Sequence, residues 1–443
     1  MKKIFSFFLS LIIFSLPFGA LVGCGDRAEV LKVYNLGEYM DEDVIDGFEQ
    51  WYKNETGKNI KLSYKTYSTN EDMYTEIYKK KADYDVVCSS DYILSRMLKN
   101  NLLLPIDREF VYGDGGESKS VSSSILQFVN DYENFDGQTD YVATERYSVP
   151  YMWGTFGVMY RKDLTTNENG DNIFDWKNLS WDMLFKAGAF EGQRYMKNSI
   201  RDAYASASIV AHSNELSVLS NGFTDYNDSY KTKLSEIIND TSSENMSSVE
   251  SVLKAQKDYI FAYESDDGKD DMVTESPSAL YGLFWSCDAG YAMAENTSLY
   301  YGVPKEGANV WVDSFVIPKY AKNVQVAQYF LKYICQTDIA YLNREYAGCS
   351  SPITEVAEYS ESIIRSAWNI VKGEQVDLDE DAMADAEYYI EIFEETEYDD
   401  FGDMFIEMLF PPQNVLSRCA VMRDSDKNAC IEMAKMWIRT KAS

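Results

Sequence analysis

The sequence predicts a protein of the α/β class that is built around an open parallel sheet. Between residues 31 and 88 the apolar residues alternate between a period of two and a helical period, which indicates strand, helix, strand, helix, strand. Crossovers in such a unit are right-handed, so the strands are expected to be parallel and a ligand to bind beyond their carboxyl ends. Neither GxGxxG nor GxxxxGK(S/T) occurs in the chain, which argues against a nucleotide as that ligand.

The N-terminus indicates export. Lys2 and Lys3 precede an apolar stretch over residues 4–18 that is shorter than a membrane-spanning helix requires. Small residues then lead to Cys24, an arrangement that resembles a bacterial lipoprotein signal. It implies cleavage after residues 1–23 and lipid attachment at Cys24, which would anchor the protein to the outer face of the cytoplasmic membrane. A plain secretory peptide with an incidental cysteine is the alternative, and it also predicts export.

Composition limits the possible classes of function. The chain has 443 residues, 45% of them hydrophobic, which suits two or three domains with real cores. Its formal net charge of −31 repels nucleic acid and attracts cations. Acidic runs at residues 264–271 and 377–400 carry much of this charge and are predicted to be solvated. His212 is the sole histidine, so no two-histidine metal site is possible; we expect a structural role for it, no metal, no cofactor and a monomer.

The cysteines show no CxxC pair and no regular framework. Six follow Cys24 in the chain, and buried free thiols are the default prediction for them. A bridge between Cys419 and Cys430 is the pairing that merits a test. The six are Cys88, Cys287, Cys335, Cys349, Cys419 and Cys430.

The elements of the first ninety residues can be assigned in order. Residues 31–34 form a short apolar strand, and an amphipathic helix follows until a glycine ends it. Residues 60–64 alternate as the second strand. Ser68 and Glu71 have the spacing of a capping box for the second helix, after which residues 84–88 form the third strand.

Polar and aromatic residues follow the first and third strands. They are Glu38, Tyr39, Ser90 and Tyr92. A carboxylate, two phenol rings and a hydroxyl can line a cleft for an amine, through cation–π contacts and as hydrogen-bond acceptors. Each residue would also suit a turn or a helix cap.

A second candidate group lies far along the chain. In an extended Trp311-Val312-Asp313 segment, the indole and the carboxylate point to the same side, a combination that suits an organic cation. Trp285 is a further aromatic candidate upstream. A core tryptophan followed by a surface aspartate is the alternative interpretation of the triplet.

Several motifs occur together in a characteristic order from about residue 30 to 352. They are Val33-Tyr34-Asn35, Glu38-Tyr39, Thr66-Tyr67-Ser68-Thr69-Asn70-Glu71, Tyr84-Asp85-Val86-Val87, Val149-Pro150-Tyr151-Met152-Trp153-Gly154, Phe284-Trp285, and Val303-Pro304-Lys305-Glu306-Gly307 leading into Trp311-Val312-Asp313-Ser314. Jointly they resemble the spermidine/putrescine-binding proteins of bacterial polyamine ABC importers. The resemblance fades over the last ninety residues and over insertions near 108–135, 163–178 and 213–275.

The resemblance implies a bilobed periplasmic-binding-protein-like fold of type II, with two α/β lobes around a ligand cleft and hinge strands between them. Lobe 1 would comprise residues 30–148 plus 313–350, and lobe 2 residues 149–312 plus 353–443 with a helical C-terminal extension. The chain should change lobes near residues 148–150, 311–314 and 348–352, which are therefore the hinge candidates.

The same resemblance implies residue roles without any catalytic step. Trp285 and Trp311 would flank the methylene chain of the ligand, while Asp202 and Asp313 would meet its ammonium groups. Glu38, Tyr39, Ser90 and Tyr92 would form the wall of lobe 1. The expected partners are a polyamine or related organic cation and an ABC permease in the membrane.

Four departures from the family lie in the predicted pocket. They are Leu36, Gly37, Ser199 and Cys349. Because Ser199 replaces an acid and a buried ammonium needs an anionic or acceptor partner, the number of charges on the ligand is left open. A polyamine or diamine is favoured, and a monoamine or a quaternary ammonium ligand fits the reduced set.

Two hypotheses from other classes are considered. A sugar-binding lipoprotein would use paired tryptophans as stacking platforms. An enzyme with the same bilobed fold would use a cysteine nucleophile, and Cys287 lies two residues after Trp285. No neighbouring basic residue in the sequence would activate this thiol, so simple binding is favoured.

Overall fold

The structure is a computed structural model that describes residues 29–113, 120–133, 146–265 and 267–442. Residues 1–23 and Cys24 lie outside this part, so the predicted signal and lipidation site stay predictions. The strands are β1 (Glu29–Leu36), β2 (Ile60–Tyr67), β3 (Val86–Ser89), β4 (Leu103–Leu104), β5 (Ser148–Arg161), β6 (Arg194–Lys197), β7 (Ala262–Glu264), β8 (Tyr281–Trp285), β9 (Leu299–Gly302), β10 (Ala308–Pro318) and β11 (Cys419–Ala420).

Helices cover both faces of the sheet and dominate the C-terminal quarter. The α-helices are α1 (Glu42–Thr56), α2 (Asn70–Tyr78), α3 (Asp91–Lys99), α4 (Arg108–Tyr112), α5 (Ser123–Glu133), α6 (Asp182–Phe185), α7 (Ile200–Ala211), α8 (Ser213–Leu219), α9 (Asp228–Asn239), α10 (Ser243–Gln256), α11 (Asp267–Val273), α12 (Ser286–Glu295), α13 (Val324–Ile334), α14 (Thr337–Ala347), α15 (Thr354–Val371), α16 (Glu380–Glu394), α17 (Phe401–Leu409), α18 (Gln413–Leu416) and α19 (Lys427–Ala442). Short 3-10 turns occur at Trp176–Asn178 and Lys257–Tyr259.

The predicted β-α-β-α-β unit is confirmed. β1 pairs in parallel with β2 on one side and with β3 on the other. Gly57 ends α1 in the left-handed conformation, at a φ of 75°, and its amide bonds the Lys53 carbonyl. The predicted capping box of Ser68 and Glu71 was wrong by one residue. Thr69 caps α2 by accepting from the Asp72 amide, and its hydroxyl donates to the Asp72 carboxylate.

Two long strands join the two halves of the sheet. The strand order is β2-β1-β3-β10-β5-β8-β6-β7, so β10 and β5 lie at its centre. β10 pairs antiparallel with β3 through Ser314–Val316 and with β5 through Val310–Val316. Beyond that contact β5 pairs with β8 and β9, while β6 and β8 run parallel. The second half therefore repeats the parallel arrangement of the first.

The segments predicted as hinges lie side by side. The register between β5 and β10 shifts between Asp313 and Ser314. Ser350 forms an isolated bridge with Trp153 of β5, and Gly348 before it has a φ of 64°. The crossing points therefore meet in one place, which is what a hinge requires. Hinge motion and the lobe boundaries stay predictions.

The buried apolar residues that the structure describes form two clusters. One cluster joins the outer face of the first half to α1 and α13, where Phe48 and Phe330 meet edge to face at 5.2 Å. A larger cluster covers the opposite face and continues into the second half and the C-terminal helices. In α15 of the C-terminal extension, Ile363, Ile364 and Trp368 are buried, and Ile370 is half-buried.

The prediction of free thiols was wrong for two cysteines. Cys287 and Cys349 form a disulfide with their Cα atoms 4.7 Å apart, whereas Cys419 and Cys430 are free. The bond ties the start of α12 to the segment that follows α14. These residues are 62 positions apart in the chain, so spacing alone did not reveal the pair.

Within the described residues, no helix combines the length and the apolar character needed to cross a membrane. The same part of the chain contains no group of three or more histidine, cysteine, aspartate or glutamate residues arranged to hold a metal ion.

Candidate functional site

The two predicted tryptophans lie on one face of the central sheet. Trp311 of β10 is opposite Gly154 of β5, and Trp285 of β8 is opposite Phe156 of β5. Directly paired residues share a face, and so do residues two apart on one strand. Both indoles therefore point to the same side, together with Asp313, although 26 residues separate the tryptophans in sequence.

Gly154 allows the Trp311 indole to lie across β5. A Cβ atom at Gly154 would be 2.7 Å from Cζ2 of Trp311 and 2.4 Å from Oγ of Ser286, the residue after Trp285. Such distances require one of the neighbours to move. The glycine thus lets Trp311 reach the start of α12, where Trp285 is located.

Asp313 is a buried carboxylate with a partner from the first half. The Tyr39 hydroxyl donates to Oδ2 of Asp313 at 2.8 Å. Burial raises the pKa of Asp313, and hydrogen bonds from Ser90 and Tyr39 partly oppose this shift. Its other oxygen, Oδ1, is buried without a hydrogen-bond partner among the described residues. In that same part of the chain no lysine or arginine forms an ion pair with it.

Ser90 and Tyr92 follow β3, next to this carboxylate. Asn70 donates to Oγ of Ser90 at 2.9 Å. This bond orients the Ser90 hydroxyl, which hydrogen-bonds Asp313. The Tyr92 hydroxyl bonds Glu71 at 3.2 Å, and the guanidinium of Arg201 lies 4.2 Å from its ring centre. Tyr92 therefore contacts the second half of the protein through Arg201.

Glu38 does not belong to the buried group around Asp313. It is exposed in the turn after β1 and has a φ of 51°, a left-handed conformation that is uncommon outside glycine. Its neighbour Gly37 is also exposed, and Leu36 is half-buried at the end of β1. The structure does not bring Glu38 to the buried group around Asp313, and its ligand role stays a prediction.

Asp202 occupies the first turn of α7, at the carboxyl end of β6. The hydroxyl of Ser199 caps this helix by accepting from the Asp202 amide. Burial raises the pKa of Asp202; hydrogen bonds from Ser199 and Trp285 and the charges of Lys197 and Arg201 oppose the shift. The contact with Trp285 joins the predicted acid to the predicted aromatic residue. Ser199, which replaces an acid in the family pattern, has a capping role here.

Lys197, at the end of β6, was not a sequence candidate. Its side chain is 2% exposed, and its ammonium lies 3.1 Å from Glu264 and 3.0 Å from Asp288. The same nitrogen is 4.2 Å from the ring centre of Trp285. Although burial opposes it, Asp288 and Glu264 raise the pKa of Lys197. One face of Trp285 is therefore covered by a cation of the protein itself.

This ion-pair group corrects one expectation and shows what the sequence patterns missed. Glu264 was assigned to a solvated acidic run but is buried against Lys197. The position of Lys197 just before α7, at a carboxyl strand end, was the available signal. Asp91, between the candidates Ser90 and Tyr92, is also buried and was not singled out.

Two groups can now be defined at this edge of the sheet. The crossover end consists of Tyr39, Ser90, Asp91 and Asp313, and the lysine end consists of Lys197, Asp202, Glu264, Trp285 and Asp288. Both lie beyond carboxyl ends of parallel strands, β1 and β3 in the first case and β6 and β8 in the second. A small ligand between them would contact both halves of the sheet, as expected for open α/β sheets.

The sequence also matches a known family. The profile described as "Bacterial extracellular solute-binding protein" matches residues 45–368, well over half of the chain. The chain belongs to this family. It is thus an extracytoplasmic protein whose family and fold are those of solute-binding proteins.

Individual relatives have narrower descriptions. The chain is 26% identical over 340 residues to the spermidine/putrescine-binding periplasmic protein of Escherichia coli, covering 76% of this chain and 82% of the relative. It is 25% identical over 327 residues to the putrescine-binding periplasmic protein SpuD of Pseudomonas aeruginosa, covering 72% and 78%.

Solved structures confirm the fold. The spermidine/putrescine ABC transporter substrate-binding protein PotD of Streptococcus pneumoniae superposes with a TM-score of 0.63 at 21% identity, covering 94% of this chain and 99% of that one. The PotD lipoprotein of Treponema pallidum has a TM-score of 0.62 at 17% identity, with coverage of 93% and 99%. The bilobed binding-protein fold predicted from the motifs is thereby confirmed.

Proposed function

We propose that this protein captures a polyamine or diamine outside the cytoplasmic membrane and delivers it to an ABC permease, while a lipid on Cys24 anchors it. The observation that carries the proposal is the buried Asp313 carboxylate on the same sheet face as Trp285 and Trp311. Within the described ranges its Oδ1 has no hydrogen-bond partner. A buried carboxylate is costly unless a cation or donor accompanies it. A linear amine supplies the cation, and its methylene groups suit the indoles.

The relatives support the same class of ligand. Their descriptions name spermidine and putrescine, and they align over about three quarters of this chain. The sugar alternative does not explain a buried, unpaired acid. The cysteine-nucleophile alternative required a free thiol at Cys287, which forms a disulfide with Cys349 instead.

The mechanism follows from the positions of the two ends. The crossover end belongs to the first half of the sheet and its crossing strands, and the lysine end to the second. A ligand that contacts both favours the closed arrangement over an open one by the difference in its affinity for the two states. The permease would then recognise the closed, loaded form.

A thermal-shift panel tests the proposal. We expect putrescine, spermidine or cadaverine to raise the melting temperature, and maltose to leave it unchanged, because a ligand that binds only the folded state stabilises it by mass action. Choline and thiamine complete the panel as other organic cations. A shift with maltose and with none of the amines would refute the proposal.

Asp313→Asn sharpens the same test. Removing the charge while keeping the shape should weaken amine binding by roughly 30-fold or more, as for other buried charge pairs that lose one partner. Ligand-free stability should stay equal or rise, because the variant no longer buries an unpaired acid. Isothermal titration calorimetry and urea unfolding measure the two quantities. A variant that binds amines as the parent does would exclude Asp313 from the site.

A further inference from the structure

Asp91 is a second buried carboxylate without a cation. Its side chain is 2% exposed, and Oδ2 has no hydrogen-bond partner among the described residues. Oδ1 accepts only from nearby backbone, including the amide of Tyr92 at 2.6 Å. An isolated acid in such surroundings requires either a proton or a cationic partner.

Asp85 shows what a structural buried aspartate looks like in the same half of the protein. It is fully buried, and its two oxygens accept from the amides of Lys32 at 2.9 Å, Lys322 at 2.7 Å and Asn323 at 2.8 Å. These bonds tie β1 to the loop before α13. Asp91 has fewer such bonds: the amides of Tyr92 and of Val312 on β10 act on its carboxylate, and in the described part of the chain Oδ2 has no partner. Joining elements of the fold therefore leaves this oxygen unexplained.

The Asp91 carboxylate lies beside the segment of β10 that carries Asp313. The amide of Val312, the residue before Asp313, hydrogen-bonds the Asp91 carboxylate, and the charge of Asp313 acts on Asp91. Indole Nε1 of Trp311 is a third buried polar atom at this place without a partner in the described part of the chain. Among the described residues, three buried polar atoms at this place therefore lack a hydrogen-bond partner. They are the acceptors Asp313 Oδ1 and Asp91 Oδ2 and the donor Trp311 Nε1.

The nearby cations of the protein are engaged elsewhere. Arg201 acts on Asp91 through its charge, but its guanidinium stacks on the Tyr92 ring and donates to the Arg423 carbonyl. Lys197 is held by Glu264 and Asp288 at the lysine end. Neither forms an ion pair with Asp91 or Asp313.

We propose that Asp91 is a ligand-binding residue and that, with Asp313, it holds one primary ammonium group of the ligand. A primary ammonium carries three N–H donors, enough for Asp313 Oδ1 and Asp91 Oδ2 with one to spare. A quaternary ammonium has no N–H group and would leave both oxygens unsatisfied. The proposal rests on the proposed function and narrows it to amines with a free –NH3⁺ end.

Asp91 also compensates for a difference from the family pattern. Ser199 stands where the resemblance implies an acid, and its hydroxyl caps α7. With Asp91 included, the buried candidate carboxylates for the ligand are three: Asp91 and Asp313 at the crossover end and Asp202 at the lysine end. Two of the three therefore lie at the end of the site opposite Lys197.

The test compares putrescine, spermidine and the bis(trimethylammonium) analogue of putrescine by isothermal titration calorimetry. We expect the parent protein to bind at least one of the two polyamines and to bind the quaternary analogue at least tenfold more weakly. Asp91→Asn should lose about tenfold to hundredfold in polyamine affinity, the range for a hydrogen bond to a charged group. The same variant should also show a smaller ratio between its affinities for the polyamine and for the quaternary analogue than the parent does.

Controls separate a ligand role from a structural one. Asp85→Asn should lower the melting temperature and keep the preference for the primary amine, whereas Asp91→Asn should keep or raise the melting temperature of the ligand-free protein. Asp91→Ser, which removes the carboxylate in a smaller side chain, provides a second variant should the first not fold.

The outcomes are distinguishable. Unchanged polyamine affinity in both Asp91 variants overturns the assignment of Asp91 and leaves the proposed function intact. Equal affinity of the parent for putrescine and its quaternary analogue also overturns it. If the parent binds neither polyamine, the proposed function fails together with the Asp91 assignment.

Discussion

The crossover end and the lysine end both contain carboxylates, and they differ in the cations that lie beside these carboxylates. At the crossover end, Asp91 and Asp313 are buried, and each has one oxygen without a hydrogen-bond partner among the residues that the structure describes. At the lysine end, Glu264 is also buried and the Asp288 side chain is 20% exposed, but the Lys197 ammonium lies within 3.1 Å of both. Removing the cation from a buried acid pair is costly, whereas an acid pair without a cation is available to a cationic ligand.

The two tryptophans also differ in whether a cation of the protein lies against them. Trp285 has one face covered by the Lys197 ammonium at 4.2 Å, while Trp311 lies over Gly154 with its indole nitrogen unpaired. Lys197 repels a further ammonium beside Trp285. We therefore expect the ligand to place one of its ammonium groups near Asp313 and its methylene groups beside Trp285.

The largest expected effect comes from removing the internal cation. Lys197→Met leaves Glu264 and Asp288 without their partner, and breaking a buried ion pair in this way costs about 3–5 kcal/mol of the free energy of unfolding. Asp313→Asn should show no such loss in the ligand-free protein. Urea unfolding of both variants without ligand measures the difference. Equal stability of Lys197→Met and the parent would remove the distinction between the two ends.

A smaller loss is expected where Trp311 crosses β5. Gly154→Ala places a Cβ atom 2.7 Å from the Trp311 ring and should lower the free energy of unfolding by about 1–3 kcal/mol, the range for overpacked sites. Polyamine affinity should fall with it because the indole must move. Gly188→Ala is the matched control, since no atom lies closer than 3.7 Å to its added carbon. Intrinsic tryptophan fluorescence reports the displacement; unaltered fluorescence and affinity in Gly154→Ala would contradict the arrangement.

The smallest expected effect is a proton released on binding at the crossover end. Burial and the neighbouring Asp313 raise the pKa of Asp91 to about 8, although Arg201 and backbone amides oppose the shift. Tyr39 and Ser90 face Asp313, whose pKa is raised in the same direction. Near pH 7 the ligand-free site therefore holds a proton that a bound ammonium displaces. Affinity should rise with pH toward about 8, by at most about tenfold per pH unit for one proton.

The raised pKa of Asp91 also determines how the free energy of unfolding changes with pH. Because the folded pKa of Asp91 lies above the ordinary value of 3.8, the folded state binds more protons than the unfolded state between about pH 4 and 8. Its contribution to the free energy of unfolding therefore declines as pH rises through that window. Calorimetry in phosphate and Tris buffers measures the released proton. Identical binding enthalpies in the two buffers at pH 7, after correction for dilution, would count against an acid that is protonated before binding.

Local patterns were sufficient for the first three strands of the sheet and for much of the candidate site. The alternation of Trp311 and Asp313 on one strand placed both side chains on one face, and the structure agrees because the strand period is two. The loops after β1 and β3 brought Tyr39 and Ser90 to Asp313, since carboxyl ends of parallel strands meet at one edge. The motif resemblance supplied the bilobed architecture.

Other features depended on contacts between distant residues. Asp85 and Asp91 are both aspartates close to β3, and only the amides around Asp85 distinguish its structural role. Glu264 appeared to belong to a solvated run until its position against Lys197 was known. The disulfide likewise pairs Cys287 with Cys349 across 62 positions.

The sequence by itself determined the α/β class, the order of the first five elements and the chemistry of the ligand-facing edge, because these depend on periodicity and on residues that are close in the chain. Tertiary structure alone decided which buried acids have a cationic partner and which do not. That distinction depends on which side chains from distant segments meet in a medium of low polarity, where an unpaired charge is costly and a paired one is stable.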